Sequence, residues 1–217
     1  MRMAELAERS GCAVATIKYY QREGLLPPGE ATSATQAAYG DDHLERLALI
    51  RVLREVGELP IARVREVIAV IEEPRQSLSK VLSTAHHALG PEPSNQDDDE
   101  HQAARREVVR YLRDRNWKVD PKAPSFDVLA GALVALRKLG QPCDTDAFAP
   151  YADLAFGLAK QELESVDPSR GASDTVTQII VGTVVYEHAL VALRRLAEEH
   201  HSKMRFGSSP KRERLRE

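Results

Sequence analysis

The chain has 217 residues, 42% hydrophobic, 29% charged and 5% aromatic, with a formal net charge of −3. That is a soluble, helix-leaning composition with room for one large domain or two small ones. No run of about eighteen apolar residues marks a membrane span, and the opening MRMAELAERSG lacks the apolar centre of a signal peptide, so a cytoplasmic protein with no membrane partner is expected. Cys12 and Cys143 are far apart and form no CxxC, which argues against a disulfide framework or a structural zinc. Residues 1–73 carry nine Lys+Arg against twelve Asp+Glu. Any nucleic-acid contact there must therefore come from a local arrangement of cations rather than from a basic domain.

In chain order, Met3, Leu6 and Ala7 share one face of a helix that ends at Ser10-Gly11, with Gly11 suited to a left-handed turn. A second helix over 14–23 follows at once, giving a helix-turn-helix pattern. Gly24-Leu25-Leu26-Pro27-Pro28-Gly29 stops it, and the small, polar residues 29–39 suit a two-stranded wing. Asp42 and Glu45 have capping-box spacing at the start of a third helix, in which Leu44, Leu47, Ile50 and Leu53 recur until Gly57. A fourth helix starts near Pro60, with Ile61, Val64, Ile68 and Ile71 as its buried side. A fifth is expected over 75–89.

The run GPEPSNQDDDE at 90–100 reads as an acidic linker. Beyond it, helices are expected near 101–116, 125–139 (capped by Ser125, stopped by Gly140), 146–165 and 174–202. The last is apolar on more than one side, which suits a central helix or a dimer seam. The tail, 203–217, has six Lys+Arg against two Glu and reads as a solvated terminus. The fold class is all-α, with one small β wing. Its parts are a winged helix-turn-helix domain (1–73), a connecting helix (74–89), the linker (90–100), a helical effector and dimerisation domain (101–202) and the tail.

The segment TIKYYQREGLLPP at 16–28 resembles the signature of the MerR family of transcription regulators. The likeness covers residues 1–73: a helix-turn-helix at the N-terminus, a Thr-apolar-basic-Tyr-Tyr helix, Arg22-Glu23-Gly24-Leu25-Leu26-Pro27-Pro28 leading into a wing, then a capped helix and the Gly57-turn-helix. It implies a homodimer on a pseudo-palindromic promoter site in double-stranded DNA, meeting RNA polymerase there. On the second helix Thr16 offers a hydroxyl and a methyl to base edges, while Lys18, Tyr19 and Arg22 are placed for phosphates. Thr32, Ser33, Thr35, Gln36 and Tyr39 of the wing, and Arg63 and Arg65 of the fourth helix, complete the candidate DNA-binding set.

Three positions depart from the family pattern. Lys18 stands where Arg is commoner, and Ala13 where a Ser or Thr cap is usual, a loss of about 1 kcal/mol. Gln36-Ala37 replace the wing's Tyr-Arg pair, which leaves the wing without a cation.

Metal-sensing members of the family carry cysteines after the dimer helix, and residues 74–100 have none. His86-His87 and His200-His201 are adjacent pairs that splay apart on a helix. No metal site and no cofactor are expected. The remaining effector class is an organic small molecule, sensed by the helical second half, whose helix order is loosely similar to the ligand-binding half of TetR-type regulators. Trp117, Phe148, Tyr151, Phe156 and Tyr186 are the aromatic candidates for its pocket, and Phe126 is a further aromatic there. Alternatives are a second domain that only dimerises or binds a protein, and a drug-sequestering protein with a DNA-binding head. With no Gly-rich phosphate loop, GxSxG or HExxH, the chain does not read as an enzyme.

Overall fold

The computed structural model describes residues 1–33, 36–72, 78–90, 98–141, 143–167, 169 and 172–207. Thr35, the expected helix start at 75–77, most of the acidic linker (91–97) and the tail from 208 on lie outside them.

Helix α1 (Met3–Ser10) ends on Gly11, whose φ of 66° lets its N–H return to the Glu8 carbonyl. Helix α2 (Val14–Arg22) starts from Ala13, which is extended and offers no side-chain cap. After α2, Gly24 takes φ 70° and the Leu25 and Leu26 N–H groups both donate to the Tyr20 carbonyl, at 2.9 and 3.3 Å. This reversal drops both leucines into the core. Strands β1 (Glu30–Ser33) and β2 (Gln36–Ala38) form an antiparallel wing in which Glu30 faces Ala38 and Ala31 faces Ala37.

Helix α3 (Asp41–Arg51) begins two residues earlier than the capping-box spacing predicts. Its N-cap is Gly40, whose N–H donates to His43 Nδ1 at 3.1 Å, so a ring nitrogen does the work expected of Glu45. The helix then widens into a π turn, Val52–Val56, closed by the Gly57 N–H donating to the Val52 carbonyl at 3.0 Å. Helix α4 (Ile61–Ile71) follows Pro60. It buries Val64, Val67, Ile68 and Ile71, while Ile61 is only half buried.

The rest of the described chain is helical: α5 (Leu78–Leu89), α6 (Asp99–Asp114), α7 (Ser125–Lys138), a 3-10 turn (Thr145–Phe148), α8 (Ala149–Glu164) and the 35-residue α9 (Ala172–Phe206). The end of the acidic run belongs to α6. The Asp98 carboxylate caps it by accepting from the His101 N–H at 2.7 Å, and Asp99 and Glu100 sit in its first turn, where negative charge suits the helix dipole.

Two apolar cores result. The first joins Leu6, Ile17, Leu47, Ile50, Leu53, Val64 and Val67 to Val81, Ala85 and Ala88 of α5 and to Val176, Ile180 and Val184 of α9. The final helix, expected wholly in the second domain, thus packs its first half on the helix-turn-helix unit. Val184 Cγ1 lies 3.0 Å from where a Gly57 Cβ would stand. The second core lies between α6 and α7 around Ala104, Val108, Phe126, Ala130 and Leu133. Its flank is tied by Arg137, which donates to both carboxylate oxygens of Glu107 at 3.2 and 2.7 Å.

Beyond Val184, helix α9 is largely exposed and still apolar at Leu190, Val191, Leu193, Leu196, Met204 and Phe206. An 18-residue stretch within Asp174–Phe206 reaches a mean hydropathy of 1.6, long and apolar enough to cross a membrane by length and composition alone. Uninterrupted apolar runs do not reveal it, because Thr, Gln and His interrupt this helix. Its opening turns are core, through Val176, Ile180 and Val184.

Candidate DNA-binding face

Helix α2 has two sides. Ile17 and Tyr20 point inward, 0% and 9% exposed, with Ile17 in the same core as Leu6. Burial, and then Cys12 beside it, push the Tyr20 hydroxyl above its ordinary pKa, so it stays neutral. Around the rest of the helix Thr16 and Tyr19 are half buried, and Lys18 and Arg22 are exposed. Arg22 sits over the Tyr19 ring, its guanidinium carbon 5.9 Å from the centroid, which holds the two side chains together. Beside them Ala15, Thr16, Tyr19, Tyr20, Arg54 and Ile61 line a groove of about 350 Å³. Arg54 donates to the Leu59 carbonyl and so fixes the turn that forms the groove's far wall. The sequence reading missed Arg54, because nothing in its spacing shows that the π turn returns to α2.

The electrostatics of this unit are partitioned. Of its nine Lys and Arg residues, five are held by carboxylates: Arg9 by Asp41, Arg46 by Glu72, Arg51 by Glu55, Arg63 by Glu66 and Arg65 by Glu23. Among the described residues, Lys18 and Arg22 of α2 are in no such pair. In a domain with an acidic excess, the cations left uncompensated include the two on α2.

The remaining candidates fall out differently. Thr32, Ser33 and Gln36 are exposed on the wing, with the Thr32 hydroxyl donating to the Gln36 carbonyl at 3.2 Å. Tyr39 is a correction: 8% exposed, it packs edge-on against His43, and its N–H donates to the Met1 carbonyl at 2.9 Å. It anchors the end of the wing to the N-terminus and does not face outward. Its aromatic type and wing position gave no sign that Gly29 leaves room for the ring, whose carbons lie within 2.9 Å of where a Gly29 Cβ would be. Arg63 and Arg65 are occupied by carboxylates rather than free for phosphates.

The effector candidates do not converge on one wall. Trp117 and Phe156 stack obliquely with centroids 5.7 Å apart, and Trp117 and Phe148 pack on the second core. Tyr151 lies instead under Arg194 of α9, 5.2 Å from ring centroid to guanidinium carbon. Tyr186 is exposed on α9, and Phe126 is core. Cys12 is buried in the corner between α1 and α2, and Cys143 is half buried. Among the described residues no three His, Cys, Asp or Glu side chains gather as a metal would need.

Residues 1–70 match the family model described as MerR HTH family regulatory protein. The chain is similar to the HTH-type transcriptional regulator ZntR homolog of Haemophilus influenzae, 30% identical over 37% of this chain and 59% of that one. It is also similar to a probable heavy metal-dependent transcriptional regulator of the same organism, 31% identical over 40% of this chain and 68% of that one. It spans 57–59% of the length of several such relatives. Among solved structures, the putative transcriptional regulator SCO5550 from Streptomyces coelicolor A3(2) superposes on 96% of this chain and 99% of its own. The TM-score is 0.74 and the identity 36%, so the likeness extends through both cores. With a helix-turn-helix, wing and α3–α4 unit in the family's order, and relatives that carry the same unit, the chain belongs to the MerR family.

Proposed function

We propose that the protein is a cytoplasmic, sequence-specific regulator of transcription that binds double-stranded DNA as a homodimer and answers to an organic small molecule. The observation that carries the DNA reading is the charge partition: α2 carries Lys18 and Arg22 exposed, with Arg22 over the Tyr19 ring, and among the described residues no carboxylate neutralises either cation. Phosphates attract cations that are free, so Lys18 and Arg22 position the helix and Thr16 reads a base edge. Thr32, Ser33 and Gln36 add uncharged contacts from the wing. One such helix spans only a few base pairs, so two copies on a two-fold site are needed for useful affinity.

The second half of α9 supplies the seam. A 35-residue helix is about 52 Å long, and its exposed Leu190, Leu193 and Leu196 recur every three residues. A second copy laid along it would remove these side chains from water. Leu193→Glu is expected to give a monomer by light scattering with its folding intact. An unchanged dimer would place the seam elsewhere. RNA polymerase is the expected further partner at the promoter.

The effector reading rests on the aromatics of the second half: Trp117 with Phe156, Phe148 on the second core beside Trp117, Tyr151 under Arg194 of α9, and Tyr186 on α9 itself. The likeness of this half to TetR-type regulators is an analogy of helix order. Relatives are named for heavy metals, so the test carries both classes. DNA bound by the full chain is selected from a random pool, and melting is then followed with organic compounds and with divalent metals. A two-fold consensus and a melting shift with an organic compound support the proposal. A shift with divalent metals alone would replace the effector class.

A further inference from the structure

Glu23 stands where a DNA-binding helix has least use for it. Thr16, Tyr19 and Glu23 are spaced by three and four residues, so they follow one another along one side of α2 and its cap. Glu23 immediately follows Arg22, one of the two uncompensated cations on that helix. A carboxylate there is repelled by phosphates. It is also engaged: Arg65 of α4 reaches across, its Nη2 donating to the Glu23 carboxylate at 3.0 Å and to the Glu23 carbonyl at 3.0 Å, while its Nε donates to the same carbonyl at 3.1 Å. The carbonyl alone would orient the guanidinium. The carboxylate adds neutralisation, and both side chains are solvent-accessible, 49% for Arg65 and 35% for Glu23.

We propose that Glu23 holds down the strength of phosphate binding by neutralising Arg65 at the end of the recognition helix. The proposal rests on the DNA-binding reading. The pair brings no net charge to the DNA, whereas Arg65 oriented by the carbonyl alone would bring one cation per protomer. Each phosphate neutralised releases counterions and steepens the fall of log affinity with log salt by about 0.9. An acidic domain that keeps five of its nine cations paired is one in which such restraint is general. This pair is the one that sits on α2.

Glu23→Gln tests this, because the amide keeps an oxygen for Nη2 and removes only the charge. The probes are the DNA selected from a random pool and a scrambled copy of it, titrated with the full chain at several salt concentrations. The expected result is severalfold tighter binding to both DNAs and a salt slope steeper by one to two units for a dimer. Glu23→Gln/Arg65→Gln, which again brings no charge, should return to the wild-type slope. Glu164→Gln, an equivalent loss of charge on α8 beside Lys160, should leave both affinities unchanged. An unchanged or weaker affinity for Glu23→Gln, with an unchanged melting temperature, overturns the proposal while DNA binding stands. A double variant as tight as Glu23→Gln alone overturns it too. If the wild-type chain shows no salt-dependent binding, the DNA-binding reading fails, and this proposal with it.

Discussion

Ile180→Ala tests whether α9 is part of the DNA-binding unit. Ile180 is fully buried and shares a core with Leu53, Val64 and Val67 on one side and Val81 and Ala85 of α5 on another. Truncation to Ala removes three carbons, worth about 0.8 kcal/mol each in transfer, and leaves a cavity that a core closed by three helices and a π turn cannot fully collapse. The expected cost is about 3 kcal/mol, within the 2–5 kcal/mol range of such truncations, or roughly two orders of magnitude in an opening equilibrium. Hydrogen exchange resolved by peptide is the assay. Amides of α3, the π turn and α4 should exchange faster in the variant, although Ile180 lies more than a hundred residues further along the chain. If those amides keep their protection and only α6 and α7 exchange faster, α9 belongs to the second core and the packing described above is wrong. The same reasoning bears on truncation: a chain ending near Leu89 loses Val176, Ile180 and Val184 from the first core, so it should melt well below the full chain.

Two further outcomes follow. Ala13→Ser gives α2 the side-chain cap that it lacks and should raise stability by about 1 kcal/mol in urea titration, since the Ala13 backbone is already extended as a cap requires. The hydrogen bonds from Arg137 hold the Glu107 carboxyl below the ordinary glutamate range, so the pair stabilises the fold above the ordinary glutamate pKa of about 4.3 and is lost as pH falls through the lowered folded value. With both side chains about a third exposed, the contribution at pH 7 is about 1 kcal/mol or less. Glu107→Gln should therefore be less stable than wild type near about pH 7, and the gap should close at about pH 2.

Much of the first unit is legible in the sequence because its signals are local. Gly11 and Gly24 sit where the chain needs positive φ, Ile17 and Leu6 fall on facing sides of adjacent helices, and the Leu-Ile spacing of α3 and α4 marks their buried stripes. What was not legible depends on contacts between distant residues. Periodicity cannot say that Val176, Ile180 and Val184 lie against a π turn more than a hundred residues earlier. It cannot say that His43 rather than Glu45 caps α3, since that depends on whether Gly40 or Asp42 is the N-cap and both are turn-forming residues. Counting charges gives the acidic balance of the domain but not which cations are already occupied. Arg65 read as a phosphate ligand because its partner, Glu23, is 42 residues away. Tyr39 read as a wing contact because burial of its ring depends on Gly29 across the turn.

The central claim, that α2 meets DNA through its uncompensated cations, is tested most directly by the salt dependence of binding for wild type, Arg22→Ala and Thr16→Ala on selected and scrambled DNA. On this claim Arg22→Ala removes one phosphate contact per protomer. Affinity should fall on both DNAs alike, and the slope of log affinity against log salt should shrink by about two units for a dimer. Thr16→Ala removes no charge, so it should keep the wild-type slope and lose about 1 kcal/mol of discrimination at one position per half-site. An Arg22→Ala slope equal to that of wild type would contradict the account, because it would remove the recognition helix from the phosphate backbone.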